Sequence, residues 1–306
     1  MPIVNTGVPI TSELNQRYLQ QIAEKYPFTK LEEVGVTDSQ RPIWMLTIGT
    51  GKRHVLFTAA HHANEWITAL VLLKYAEDLA DTIQKGGILF GQRAKEMAEA
   101  VMIHIIPLVN PDGVDLVTGA LTPESAQYQL ARELAQKYPA IPFPEGWKAN
   151  LLGVDLNLNY PAGWLQAREI KFAQGYTSPG PRDYVGRAPL DQMESRALAD
   201  LTEKLDPDLV LAYHSQGKEI YWQFRDYEVP GAKELGEVMA RVSGYTLADT
   251  PYESSFAGYK DWFIQNFRRP GYTVEVGMGE NPLPLSQFPE IYRDNVPLLN
   301  IAALGL

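Results

Sequence analysis

His54-Val55-Leu56-Phe57-Thr58-Ala59-Ala60-His61-His62-Ala63-Asn64-Glu65 decides the fold. Residues 54–59 hold β-formers and small apolar residues with no turn residue among them, the pattern of a buried strand. From residue 65 to residue 82 apolar side chains return at helical spacing, at Ile67, Leu70, Val71, Tyr75 and Leu79. A buried strand thus runs through a short polar turn into an amphipathic helix. The same alternation continues outward. Strands are predicted at 30–36, 42–48, 101–108, 208–214, 219–224 and 272–276. Helices are predicted at 121–137, 191–205, 231–242, 259–267 and 291–304, with Pro297 as a kink. Asp38-Ser39 and residues 49–52 fit hairpin-like connections. Asp191 with Glu194 fits a helix cap. The first fifteen residues read as a polar, Pro/Gly-punctuated segment, and 139–146 and 165–189 as irregular loops packed over a site. Strands and helices interleaved to the end predict one α/β domain over 1–306 with a mostly parallel sheet.

Composition narrows the function. The chain has 306 residues, 27 Lys and Arg against 37 Asp and Glu, and a formal charge of −10. Such a surface repels phosphate backbones, and the densest basic cluster is only Arg268-Arg269, so nucleic-acid binding is not expected. The absence of cysteine excludes disulfide scaffolds, Cys-based zinc sites and thiol nucleophiles. No apolar run is long enough to span a membrane, and no leader is visible at the start. The expected compartment is therefore the cytoplasm, or the cell wall if the chain is a catalytic fragment.

Three segments carry chemistry. His62 and Glu65 are three apart on the turn that opens the first long helix, so their side chains can converge on one point. Imidazole and carboxylate are both good zinc ligands, although a helix-capping loop would show the same pair. His214 ends the apolar strand Leu209-Val210-Leu211-Ala212-Tyr213, where open α/β sheets place ligands. With His62 and Glu65 it completes a His₂Glu set that leaves one zinc position open, as catalytic sites do. Glu275 sits in a strand otherwise made of β-formers, where a carboxylate is costly unless paired or functional.

In order along the chain, His62-Ala63-Asn64-Glu65-Trp66-Ile67, Asn110-Pro111-Asp112-Gly113, Gly153-Val154-Asp155-Leu156-Asn157, Tyr213-His214-Ser215 and Thr273-Val274-Glu275-Val276 resemble the signature segments of the zinc carboxypeptidases of the carboxypeptidase A family. The resemblance implies an α/β/α sandwich with a twisted mixed, mostly parallel sheet of about eight strands and helices on both faces. It implies one Zn²⁺ per chain on His62, Glu65 and His214, with Asp155 orienting the first histidine and Glu275 as general base. It places Lys148 where the family has an oxyanion-stabilising Arg, and Asn157 and Tyr252 at the substrate. Asn110 to Gly113 is most simply a turn.

Two departures bear on specificity. Leu158 stands where classical members carry the Arg that clamps a free C-terminal carboxylate, and Asn64 replaces another Arg. Leucine cannot pair with a carboxylate. Trp147-Lys148-Ala149-Asn150, Ile220-Tyr221-Trp222 and residues 276–285 are similar to a narrower bacterial branch, the γ-D-glutamyl-L-diamino-acid endopeptidases. That likeness implies hydrolysis of peptidoglycan stem peptides or muropeptides between D-isoglutamate and meso-diaminopimelate or L-lysine. No LysM or other binding module is recognised in 1–306. Such substrates are anionic, so a cation in the cleft is expected, with Lys260 placed to supply it; a solvent-exposed helix lysine is the alternative. The rival activity is an ordinary metallocarboxypeptidase that captures the terminal carboxylate with Lys260 or Arg182. A catalytically inert zinc- or peptidoglycan-binding module is the rival from another class.

Overall fold

The computed structural model describes residues 2–305. In chain order the elements are α1 (Ser12–Lys25), β1 (Lys30–Val36), β2 (Pro42–Ile48), β3 (Arg53–Ala59), α2 (Ile67–Lys85) and a small hairpin of β4 (Ile88–Leu89) and β5 (Gln92–Arg93). There follow α3 (Ala94–Ala100), β6 (Val101–Ile106), α4 (Pro111–Val117), α5 (Ala126–Ala135), α6 (Trp164–Ala173) and α7 (Met193–Leu205). The last third holds β7 (Leu209–His214), β8 (Glu219–Tyr221), α8 (Ala232–Ser243), β9 (Thr246–Ala248), α9 (Tyr259–Phe267), β10 (Gly271–Glu275) and α10 (Phe288–Leu304).

Eight strands form one mixed sheet in the order β1-β2-β6-β3-β7-β10-β8-β9. Its centre, β6, β3, β7 and β10, is parallel, and β1, β2 and β8 join antiparallel to their inner neighbours. Side chains alternate across a strand, and the core divides accordingly. Val55, Phe57, Leu209, Leu211 and Tyr213 pack on one face with α1, α2, α8 and α10. Leu56, Val210 and Ala212 pack on the other with α6, α7 and α9. Central strands buried on both faces read as continuous apolar runs, which is why β3, β6 and β7 were plain in the sequence. The α/β/α sandwich is the expected fold.

Several local expectations fail for identifiable reasons. Residues 49–52 are not a hairpin: β2 pairs with β1 and β6, and β3 with β6 and β7. The glycines there serve close packing, since a Cβ on Gly51 would lie 2.0 Å from the Ala100 carbonyl carbon. The polar N-terminal segment contains the start of α1, capped by Thr11 Oγ1, which accepts from the Leu14 N–H, with Tyr18, Leu19 and Ile22 turned inward. The segment 165–189, read as irregular, begins inside a helix, α6 (Trp164–Ala173). The helix expected over 121–137 starts only at Ala126, where Ser125 caps it. Asp191 and Glu194 do not cap α7. The Asp191 carboxylate accepts from Asn159 Nδ2 and the Arg187 N–H, and buried Glu194 accepts from Asn150 Nδ2, so tertiary partners claim both groups.

Candidate active site

β3, β7 and β10 are parallel neighbours, so their C-terminal ends form one rim. His214 is the last residue of β7 and Glu275 the last of β10, and their Cα atoms are register partners. Beyond β3 the chain turns through a left-handed Ala60 (φ 52°), is extended at His62 (φ −91°, ψ 133°) and then makes one 3₁₀ turn over Ala63–Glu65. That turn folds Glu65 back so that His62 Nδ1 and Glu65 Oε1 are 3.0 Å apart. His214 Nδ1 lies 3.0 Å from Glu65 Oε2 and 3.2 Å from His62 Nδ1. The structure therefore brings His62, Glu65 and His214 together, all buried.

This donor set fits a metal ion. With Asp155 accepting from His62 Nε2, His62 Nδ1 turns a lone pair toward Glu65 and His214 Nδ1, and three donor atoms of the types that bind zinc converge on one point. Ligand atoms around a tetrahedral zinc with bonds of ~2.1 Å stand roughly 3.4 Å apart, close to the spacings found. Asp155 Oδ1 lies 3.0 Å from His62 Nε2, which fixes the ring so that Nδ1 faces the cluster. Asp155 is itself held by the N–H groups of Asn157 at 3.2 Å and Asp183 at 3.2 Å.

Asn110 does more than the expected turn. Its Nδ2 donates to the carbonyls of His61 (3.1 Å) and Ala149 (3.0 Å), while its Oδ1 accepts from the Gly113 N–H. The Ala63 N–H also donates to the Lys148 carbonyl at 2.9 Å. The loop carrying His62 and the loop carrying Lys148 are thus pinned to one side chain. The local signal for a turn hid this role, because both acceptors are backbone groups far away in sequence.

The charges follow from burial and mutual contact. Burial would raise Glu65, but His62 and Lys148 hold it well below the ordinary carboxylate range. Burial would lower His62, yet the Glu65 and Asp155 carboxylates carry it up to about 9 in the metal-free cluster. Burial pushes Glu275 up to about 8, and the neighbouring Glu65 charge adds to it. Two carboxyl groups on one rim thus have their affinities for protons driven apart, the pattern expected of groups with different tasks.

The rim opens into a cleft of about 810 Å³. Lys148 lies in it, its Nζ donating to Glu65 Oε1 at 3.0 Å. Asn157 lines it as well, its Oδ1 accepting from the Tyr259 N–H at the start of α9. Lys260 is not the solvent-exposed helix lysine: it is 4% exposed, faces the cleft and donates to the Gln223 carbonyl and Asp261 Oδ1, both at 2.6 Å. Tyr252 is not brought to the cleft. It is 71% exposed and packs edge-to-face on Phe256, whereas Thr250 and Ser254 on either side of it reach the cleft wall. Leu158 occupies the wall beside Asn157. A cluster of Lys171, Arg182 and Asp183 joins them; of these, only Arg182 drew notice in the sequence, since the segment reads as loop.

The comparisons with known proteins agree with this geometry. The zinc carboxypeptidase family profile matches residues 15–298. A γ-D-glutamyl-L-diamino acid endopeptidase 1 of Lysinibacillus sphaericus is 40% identical over 276 residues, 90% of this chain and 67% of that protein. Among solved structures, thrombin-activatable fibrinolysis inhibitor superposes with a TM-score of 0.77 at 17% identity, over 99% of this chain and 76% of that one. Murein-tripeptide amidase MpaA from Escherichia coli O157 superposes with a TM-score of 0.56 at 18% identity, over 89% and 91%. With the profile spanning nearly the whole chain and the His-Glu-His set in place, the protein belongs to the zinc carboxypeptidase family and is a metallopeptidase.

Proposed function

We propose that the chain hydrolyses the amide bond between γ-linked D-glutamate and the following diamino acid, meso-diaminopimelate or L-lysine, in peptidoglycan stem peptides. The observation that carries this reading is Leu158 in the cleft wall: an apolar side chain stands at the position where, by the resemblance, classical carboxypeptidases carry the arginine that clamps a free C-terminal carboxylate. Four cations line the cleft, Lys148, Lys171, Arg182 and Lys260, and none of them replaces the missing arginine at position 158 itself. The name of the Lysinibacillus relative supports the same substrate class.

His62, Glu65 and His214 would hold Zn²⁺, whose charge would activate a water molecule and polarise the scissile carbonyl. Glu275 accepts the proton of the attacking water and passes it to the departing amine nitrogen. Lys148 sets a positive charge beside the carbonyl oxygen as that oxygen gains charge, without the planar fork an Arg would bring. Asp155 holds His62 in orientation. Lys260 faces the amine side of the bond with one N–H left over from its two hydrogen bonds.

Mass spectrometry of defined muropeptides tests the reading. Cleavage at the glutamyl–diamino acid bond, at a similar rate when the peptide's C-terminus is amidated, is the expected result. Loss of cleavage on amidation would assign an ordinary carboxypeptidase instead. Glu275→Gln, which keeps the shape but not the base, should lower turnover by ~10²–10⁴-fold at unchanged zinc content.

A further inference from the structure

Arg182 is poised at the cleft with most of its hydrogen-bonding capacity unspent. Its Nε donates to Asp183 Oδ2 at 2.6 Å, and among the described residues its two Nη groups make no hydrogen bond. A guanidinium has five N–H donors, so four remain, in the planar arrangement that matches a carboxylate in two-point contact.

The arginine is also held firmly. Asp183, which binds its Nε, pairs through Oδ1 with Lys171 Nζ at 2.7 Å and donates its own N–H to Asp155 Oδ2 at 3.2 Å. Asp183 takes φ 64°, a left-handed conformation that Asp tolerates better than most residues. The preceding Pro181 carbonyl accepts the N–H groups of Lys148 (2.7 Å) and Ala149 (2.9 Å). A continuous chain of contacts therefore runs from His62 through Asp155 and Asp183 to Arg182. Lys171 and Arg182 share one carboxylate, which leaves this wall net positive in a chain of net charge −10.

Topology says which side of the scissile bond this wall faces. Glu275 must reach the departing nitrogen, so the amine lies on the β10 side, where Thr273, Tyr221 of β8 and Lys260 of α9 line the cleft. Arg182 is tied instead to the segment of Lys148, the residue beside the reacting carbonyl: the carbonyl of its neighbour Pro181 accepts the Lys148 and Ala149 N–H groups. It therefore faces the acyl half of the substrate. In a γ-linked glutamyl amide the reacting carbonyl belongs to the side chain, and the α-carboxylate stays free a few bonds away. An ordinary α-linked peptide presents a neutral amide there.

Resting on the γ-glutamyl reading above, we propose that Arg182 is a specificity-determining residue that reads the free α-carboxylate on the acyl side of the cut bond. It selects γ-linked glutamyl donors over α-linked peptides and over the α-carboxamide form of the same donor.

The test compares kcat/KM for two stem peptides that differ only at that group, γ-D-glutamyl with its α-carboxylate and γ-D-isoglutaminyl with a carboxamide. The unsubstituted enzyme, Arg182→Gln and Arg182→Lys are measured, with zinc content and circular dichroism checked for each. The unsubstituted enzyme should favour the carboxylate by about tenfold to a hundredfold, the usual range for a hydrogen bond to a charged group. Arg182→Gln should bring that ratio close to one, and Arg182→Lys should restore part of it. Equal losses on both substrates, with the ratio preserved, would show that Arg182 only braces Asp183 and would overturn the proposal. So would a ratio near one in the unsubstituted enzyme. Cleavage of neither stem peptide, with α-linked peptides still cut, overturns the peptidoglycan reading itself and the proposal with it.

Discussion

A histidine pair sits at each end of β3, and the two pairs have opposite characters. At the start of the strand, His54 Nδ1 lies 3.2 Å from His104 Nε2 of β6. Just past its end, His62 Nδ1 lies 3.2 Å from His214 Nδ1. The spacing is the same, and the neighbours are not. His104 leans on the Thr47 hydroxyl, and burial, with the His54 charge adding, pushes it down to about 4. His62 has Glu65 on one nitrogen and Asp155 on the other, and is carried up to about 9. Closeness of two imidazoles does not make a metal site; carboxylates that favour positive charge at the same point do.

The largest expected effect sharpens this contrast. Purified protein should carry one zinc per chain by elemental analysis. His214→Ala should lose most of it after dialysis, and hydrolysis should fall to background with it. His104→Ala should keep the full complement. Zinc retained by the first variant, or lost from the second, would break the comparison at its root.

The same contrast shows what was legible in the sequence. The rim could be read because each of its residues ends or follows an apolar strand: Leu209 to Tyr213 leads into His214, and Tyr272 to Val274 into Glu275. Strand ends convert a one-dimensional position into a place on the rim. The cleft walls resist that reading. Arg182, Asp183 and Lys171 are joined by ion pairs within loops and a short helix, with no periodicity to announce them. Asn110 bridges two carbonyls that lie 49 and 39 residues away in sequence. Lys260 has the pattern of a surface helix lysine, and its burial comes from Gln223 and from α9 packing inward. α1 had the spacing of a helix at Tyr18, Leu19 and Ile22 but was masked by the Pro- and Gly-containing residues before it.

A smaller effect is expected where a carboxylate is made neutral rather than a ligand removed. In Asp155→Asn the amide oxygen can still accept from the Asn157 or Asp183 N–H, but the negative charge beside His62 Nε2 is gone. Substitutions of this kind cost about 10–100-fold in metal affinity. Competition with a chelator should find the apparent zinc dissociation constant raised by that factor, with the fold intact. Affinity equal to that of the unsubstituted protein would mean that the Asp155 charge contributes nothing to the difference between the two histidine pairs.

The last effect belongs to the pair whose rings have no carboxylate hydrogen-bonded to them among the described residues, and its sign is opposite to that of a histidine held charged by an acid partner. His104 has a folded-state pKa of about 4 against an ordinary value of 6.5. Burial in the sheet is the main cause, with the His54 charge adding, Glu32 opposing and Lys30 adding slightly. Between those two values the unfolded chain binds a proton that the folded protein refuses. Stability therefore rises with pH across that window and falls on acidification. From pH 7 to pH 5 the loss from this one group is about 2 kcal/mol. Urea unfolding at both pH values, on the unsubstituted protein and on His104→Gln, isolates it: the variant should lose about 2 kcal/mol less than the unsubstituted protein on acidification, while zinc content stays at one per chain. Identical pH dependence in the two proteins would mean that His104 takes its proton as readily in the sheet as in water, and the contrast between the two ends of β3 would lose its electrostatic half.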